Sequence, residues 1–217
     1  TTPLDPSTFK KLSERKDVLV IDTRSKEAYS NEGTIPGAWY IGIDGSFAPW
    51  VGALVSDINQ KIIFVTDDEL RIHEIVTRFS RVGYDNTLGY LNGGIANWKS
   101  YGYELEFIKS ISATKFVDML AEEKVEKPID VRKESEYFSE HVIGVENFPL
   151  DDIHTNFKKI NPEKDYFLHC KSGYRSLIAA SIFKANGVKK VTNIEGGFKE
   201  IIKTKIPLSD YICPTNF

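Results

Sequence analysis

The chain contains two copies of one pattern, and this duplication limits its architecture more than any other feature. Asp22-Thr23-Arg24 recurs 108 residues on as Asp130-Val131-Arg132. Phe9 and Leu12 recur as Phe116 and Met119, Tyr29 as Tyr137, and Gly37 as Gly144. Leu91-Asn92-Gly93-Gly94-Ile95 recurs 103 residues on as Ile194-Glu195-Gly196-Gly197-Phe198. The order is kept while the spacing drifts by a few residues. Chance does not produce that, whereas tandem duplication with small loop changes does. A length of 217 residues accommodates two small domains, each able to bury a core. The join is expected in the polar stretch 99–112, giving domains over 1–105 and 106–217.

Each copy has the same grammar. A short amphipathic helix opens it, capped by Asp5 with Pro6 at the first helical position, or by Ser112. A strand follows, over 18–21 or 129–131. A polar helical stretch leads to the turn around Gly37 or Gly144. A second strand is predicted over 62–65 or 166–169. A longer helix then ends at Gly83 or Gly187, each suited to a C-terminal cap. A third strand over 87–91 or 190–194, the Gly-Gly pair and a last helix close the unit. Short apolar strands alternating with helices predict an α/β fold, each domain a mostly parallel sheet flanked by helices.

Composition excludes several classes. The chain has 28 basic and 31 acidic side chains and no run of either sign, so it lacks the basic stripe of a nucleic-acid binder. No stretch approaches the roughly 18 apolar residues of a membrane span. Two cysteines exclude a disulfide scaffold and fit a reducing, cytoplasmic setting. The first residues carry no signal-peptide pattern. They read Thr1-Thr2 without a methionine, as expected of a processed product or a piece of a longer protein.

The chemistry is concentrated in one loop of the second copy, Cys170-Lys171-Ser172-Gly173-Tyr174-Arg175-Ser176. It follows a buried strand and precedes a helix, and ligands of parallel sheets bind at the carboxyl ends of strands. Such a turn aims successive N–H groups inward as an anion nest, and the helix N-terminus adds partial positive charge. Lys171 and Arg175 are expected to add full charges. A thiolate at Cys170, or a persulfide on it, is stabilised in that setting. Cysteine phosphatases use a larger loop, with the arginine six positions after the cysteine. Here Arg175 lies five positions after Cys170, and Ser176 occupies the phosphatase position. The smaller ring suits one sulfur atom better than a tetrahedral phosphate.

With these motifs, the Thr34-Ile35-Pro36-Gly37-Ala38 turn and the Gly-Gly pairs, the chain resembles a tandem rhodanese-type sulfurtransferase over nearly its whole length. The resemblance implies two rhodanese-like domains and transfer of sulfane sulfur through a Cys170 persulfide, without a cofactor. Lys171, Ser172, Gly173, Tyr174, Arg175 and Ser176 would form the substrate cradle. Donors would be small sulfur-containing anions or persulfides: thiosulfate, a polysulfide or a low-molecular-weight persulfide. Acceptors would be a thiol, sulfite or cyanide. In that family the Asp-x-Arg pair is largely structural. One departure stands out. The mammalian thiosulfate enzyme has a lysine two residues after its cysteine, where this chain has Ser172. The segment from Gly42 to Gly52 further resembles rhodanese pairs fused behind a metallo-β-lactamase-type persulfide dioxygenase. This implies an N-terminal dioxygenase domain as partner; the metal ligands of such a domain are absent from these residues, and no metal site is expected in them.

In the first copy a shift of 103 sets Asp67 opposite Cys170, Leu70 opposite Gly173 and Ile72 opposite Arg175. With no thiol and three acidic side chains (Asp67, Asp68 and Glu69), this copy is expected to be inactive and to serve structure or docking. Cys213, in the tail Ile212-Cys213-Pro214, lacks any such context and reads as incidental. His169 neighbours the nucleophile, but adjacent strand residues point to opposite faces, so it is expected to pack beneath the sheet. Asp22 and Asp130 are expected to pair internally with their arginines. The aromatic stretch 47–50 reads as packing. Two other functions remain open on residues alone: a non-catalytic binding or regulatory module, and a cysteine phosphatase or arsenate reductase.

Overall fold

The aliphatic runs of each copy form the inner strands of a parallel sheet. A strand covered on both faces needs consecutive apolar residues rather than alternating ones. Four buried residues in a row occur in Lys61–Val65 and again in Asp165–His169. The computed structural model describes residues 1–213, so Pro214 of the tail lies outside it. The chain divides into two units, Thr1–Phe107 and Ile108–Phe217.

In the first unit the elements are β1 (Thr2–Leu4), α1 (Pro6–Ser13), β2 (Val18–Asp22), α2 (Lys26–Glu32), β3 (Trp39–Tyr40), α3 (Phe47–Leu54), β4 (Lys61–Val65), α4 (Ile72–Ser80), β5 (Thr87–Leu91) and α5 (Gly94–Ser100). Its five strands lie in the order β1-β5-β4-β2-β3, all parallel. The second unit repeats this with β6 (Lys109–Ile111), α6 (Ala113–Ala121), β7 (Lys127–Asp130), α7 (Glu134–Ser139), β8 (Glu146–Asn147), α8 (Ile153–Asn156), β9 (Asp165–His169), α9 (Tyr174–Ala185), β10 (Lys190–Ile194) and α10 (Phe198–Ile201). Its strand order is β6-β10-β9-β7-β8, again all parallel. The α/β class with two parallel, helix-flanked sheets is the one the duplication implied.

Local signals act as the sequence indicated. Asp5 accepts the N–H groups of Ser7 and Thr8, and Ser112 accepts that of Lys115. Two strands per unit escaped the sequence reading, because β1, β3, β6 and β8 are two or three residues long and show no period. Val131, expected inside a strand, lies just past β7, although its N–H still bonds His169 O at 2.9 Å. Phe9, Ile63, Val65, Ile95 and Trp98 centre one core cluster of the first unit. Phe116, Phe167, Ile194, Phe198 and Ile201 centre one of the second. In the helix over 47–54 the packing expected of the aromatic stretch holds for Phe47, buried and edge-on to Phe79 at 5.0 Å, while Trp50 is half-buried and Pro49 exposed.

The Gly196-Gly197 turn joins β10 to α10 and packs on the loop after β9. Gly197 has φ +57°, and a Cβ there would stand 2.3 Å from Cys170 O. Gly144 has φ +86° with open space around it. Gly144→Ala should therefore cost about 1 kcal/mol, the penalty of left-handed backbone alone. Gly197→Ala adds a backbone clash and should cost on the order of 3 kcal/mol. Urea unfolding of both variants, which probe the same unit, checks that order.

Candidate active site

β9 ends at His169, and Cys170 through Gly173 turn the chain into α9. Gly173 takes φ +95°, a left-handed conformation that lets the turn close in so few residues. The carbonyl side of the loop is tied down: Phe198 N–H donates to Cys170 O at 2.7 Å and Lys199 N–H to Lys171 O at 3.1 Å. The amide side is left for the sulfur. Gly173 N–H donates to Cys170 Sγ at 3.2 Å. Ser176 Oγ lies 3.6 Å from Sγ and donates to Asn193 Oδ1 of β10 at 2.7 Å. The first amides of a helix have no acceptor within it, and α9 begins at Tyr174 above this sulfur. The expected cradle is thus assembled in part around Cys170, by Gly173 and Ser176. Cys170 itself is 1% exposed.

The remaining cradle residues divide. Lys171 and Ser172 are exposed, Tyr174 and Arg175 are half-buried, and Ser176 is fully buried. Arg175 does not supply the free positive charge expected of it. Its Nη1 and Nη2 hold Glu136 Oε2 and Oε1 at 2.5 and 2.9 Å, a two-pronged pair that cancels the charge. Sequence reasoning missed Glu136 and Asn193. A signal for Glu136 was present: the 108-residue shift sets it opposite Ala28, so the acid occurs only in the copy with the thiol.

His169 and Asp130 play the structural parts expected. His169 is wholly buried, with Nδ1 3.8 Å from Asp130 Oδ1 and its ring stacked on Phe198. Its Nε2 has no hydrogen-bond partner among the described residues. Burial holds this imidazole below its ordinary value, against the opposing pull of Asp130. Its Nδ1 faces Asp130 Oδ1 and Cys170 O, and no hydrogen bond among the described residues joins the ring to Cys170 Sγ. Asp130 receives the backbone N–H, Nε and Nη2 of Arg132, the shortest contact being 2.6 Å. Asp22 receives the same three donors from Arg24. The described residues contain no cluster of groups able to hold a metal. No helix among them is long and apolar enough to cross a membrane. Cys213 is exposed.

Strand register corrects the match between the copies. Asp22 pairs with Val65 where Asp130 pairs with His169, so Thr66, not Asp67, stands at the place of Cys170. The shift is 104 there and stays so to the glycines at 83 and 187; the shift of 103 belongs only to the strands beyond them. Glu69, not Leu70, therefore matches Gly173, and Arg71, not Ile72, matches Arg175. Thr66 Oγ1 accepts the N–H of Asp68 at 3.2 Å, a hydroxyl in the role that the sulfur has in the other loop. Asp67 turns to Arg24 at 3.3 Å, and Arg71 pairs with Asp44 and Glu74.

A profile of the rhodanese-like domain matches residues 5–101 and 112–204. The uncharacterized protein YqhL of Bacillus subtilis is 31% identical over 101 residues, covering 46% of this chain and 78% of its own. Thiosulfate sulfurtransferase PspE of Escherichia coli is 32% identical over 102 residues, covering 46% of this chain and 97% of its own. A crystal structure of a rhodanese-like domain protein from Staphylococcus aureus is 26% identical, with a TM-score of 0.43, and covers 48% of this chain and all of its own.

The Glu136–Arg175 pair makes the second unit sensitive to acid. Burial raises the Glu136 carboxyl, but hydrogen bonds and charge from Arg175 outweigh it and hold the carboxyl below its usual range. A depressed native value contributes stability above the unfolded value of about 4.3, lost as pH falls through the native one. Glu136→Gln should flatten part of the decline in unfolding free energy below about pH 4.5. Urea titrations of both proteins between neutral and acid pH measure it.

Proposed function

The chain belongs to the rhodanese-like domain family, and from that premise we propose that its second unit is a sulfurtransferase working through Cys170. The Cys170 thiolate attacks the sulfane sulfur of thiosulfate, a polysulfide or a low-molecular-weight persulfide. The donor's S–S bond breaks, a new one forms at Cys170, and the donor remainder leaves with the electron pair. A thiol, sulfite or cyanide then removes the outer sulfur and restores the thiolate, a covalent two-step scheme. No cofactor enters it.

The observation that carries this reading is the placing of the sulfur. It sits at the carboxyl end of an inner strand, accepts the Gly173 N–H and lies at the start of the 12-residue helix α9. These groups favour negative charge on sulfur in both steps. Lys171, exposed on the rim, steers anionic donors, and Tyr174 walls the entrance. The relative named thiosulfate sulfurtransferase supports the same class. Phosphatase chemistry finds no support: the position that needs a cation holds Ser176, buried and bonded to Asn193. The first unit, with Thr66 in place of the thiol, serves as scaffold or docking surface.

The 1% exposure of Cys170 favours one second reading, a binding module that performs no transfer. Mass spectrometry after donor treatment decides between them. The intact protein should gain the mass of one sulfur atom, and Cys170→Ser should not. Thiocyanate formation from cyanide should fall to background in that variant. A protein that gains no sulfur from any donor class is the binding module instead.

A further inference from the structure

Each arginine near the Cys170 loop is matched by a carboxylate, which leaves, among the described residues, only the exposed Lys171 as a free cation on it. Arg132 lies on Asp130 at 2.6 Å, with both side chains almost fully covered. Arg175 lies on Glu136 at 2.5 Å, with the two side chains 16% and 29% exposed. Burial works against the charge of Arg175, and its hydrogen bonds and attraction to Glu136 outweigh that cost, with smaller contributions from Cys170 and Asp130. Glu136 projects from α7, an element apart from the catalytic loop, and Lys133 N–H further fixes its carboxylate at 3.3 Å. Both prongs of the Arg175 fork are therefore engaged before any donor arrives.

We propose that Glu136 sets the donor selectivity of the Cys170 site, admitting organic persulfides and disfavouring dianionic donors such as thiosulfate. This rests on the sulfurtransferase reading and assigns it a specificity-determining residue. The balance of charge explains why one carboxylate matters. When the thiolate attacks thiosulfate, it forms Cys170–S–S⁻ and expels sulfite dianion, so three negative charges converge on one small cup. When it attacks a protonated organic persulfide, RS–SH, it forms Cys170–S–SH and expels RS⁻, with a single negative charge throughout. The first path needs a free cation beside the sulfur, and the second does not. An arginine bound on two prongs has neither spare donors on that edge nor net charge to offer. Lys171 is exposed, so salt screens its attraction.

The test uses the full chain and follows the rate at which one sulfur atom appears on Cys170 by quenched mass spectrometry. Donors are thiosulfate and cysteine persulfide, so no acceptor enters the readout. Wild type should load faster from cysteine persulfide. Glu136→Gln keeps a hydrogen-bonding side chain but removes the charge, and should raise the thiosulfate-to-persulfide rate ratio about tenfold or more, the effect of one unit charge at short range. Glu136→Asp, which keeps the charge, should retain a ratio near that of wild type. A merely positional Glu136 would slow both donors together and leave the ratio unchanged, which overturns the inference. Should Glu136→Gln fail to fold, Glu136→Ala decides by the same ratio: a rise in thiosulfate over persulfide loading supports the inference, and an unchanged ratio overturns it. Wild type that loads from neither donor, nor from a polysulfide, ends the sulfurtransferase reading itself.

Discussion

The Asp-x-Arg ion pair at the end of the second strand is the constraint on which each unit is built. Its aspartates are wholly buried, and burying a lone carboxylate costs several kcal/mol. The cost is met locally, because the arginine two residues on folds back with its backbone N–H and its guanidinium on the same carboxylate. The guanidinium then reaches a backbone carbonyl eight or nine residues away, Gly33 O in one unit and Glu140 O in the other. One pair thus fixes the strand end, the start of the next helix and that helix's far end. Arg132 also lies over the Phe198 ring at 3.9 Å, linking the strand end to the helix that holds the Cys170 loop.

The frame is indifferent to chemistry, since both units have it and only one has a thiol. The units differ in the loop after the third strand of the sheet, where a parallel fold leaves backbone groups free to meet a ligand. Thr66 keeps a local turn with its hydroxyl, Asp68 starts a short 3₁₀ turn by accepting Leu70 N–H, and Leu70 stands in solvent. The first loop is shaped by side chains bonding their own backbone, the second by a glycine in a left-handed conformation.

The sequence was legible wherever local chemistry decides. Asp5, Ser112 and the inner strands follow from capping and from aliphatic runs, and Cys170 followed from a strand, a glycine and a helix in succession. It was opaque where partners meet across distance. Arg175 reads as a free cation because Glu136 lies 39 residues before it. Ser176 reads as a ligand-facing hydroxyl because Asn193, which takes its hydrogen bond, belongs to another strand. The pairing of Thr66 with Cys170 was lost because one residue of difference lies beyond the glycines at 83 and 187, and a single offset cannot serve both sides of it. The two-residue edge strands carry too few positions to show any pattern.

The anchoring of the loop by its carbonyls has a mechanical consequence. Cys170 O and Lys171 O are held by successive amides at the start of α10, so this side of the ring would not yield were the side chain to gain the proposed sulfur. Added bulk has to be accommodated toward Gly173 and the mouth of the cup. In the proposed transfer the Gly-Gly turn would act as an anvil beneath the bend, directing growth of the side chain outward toward the acceptor.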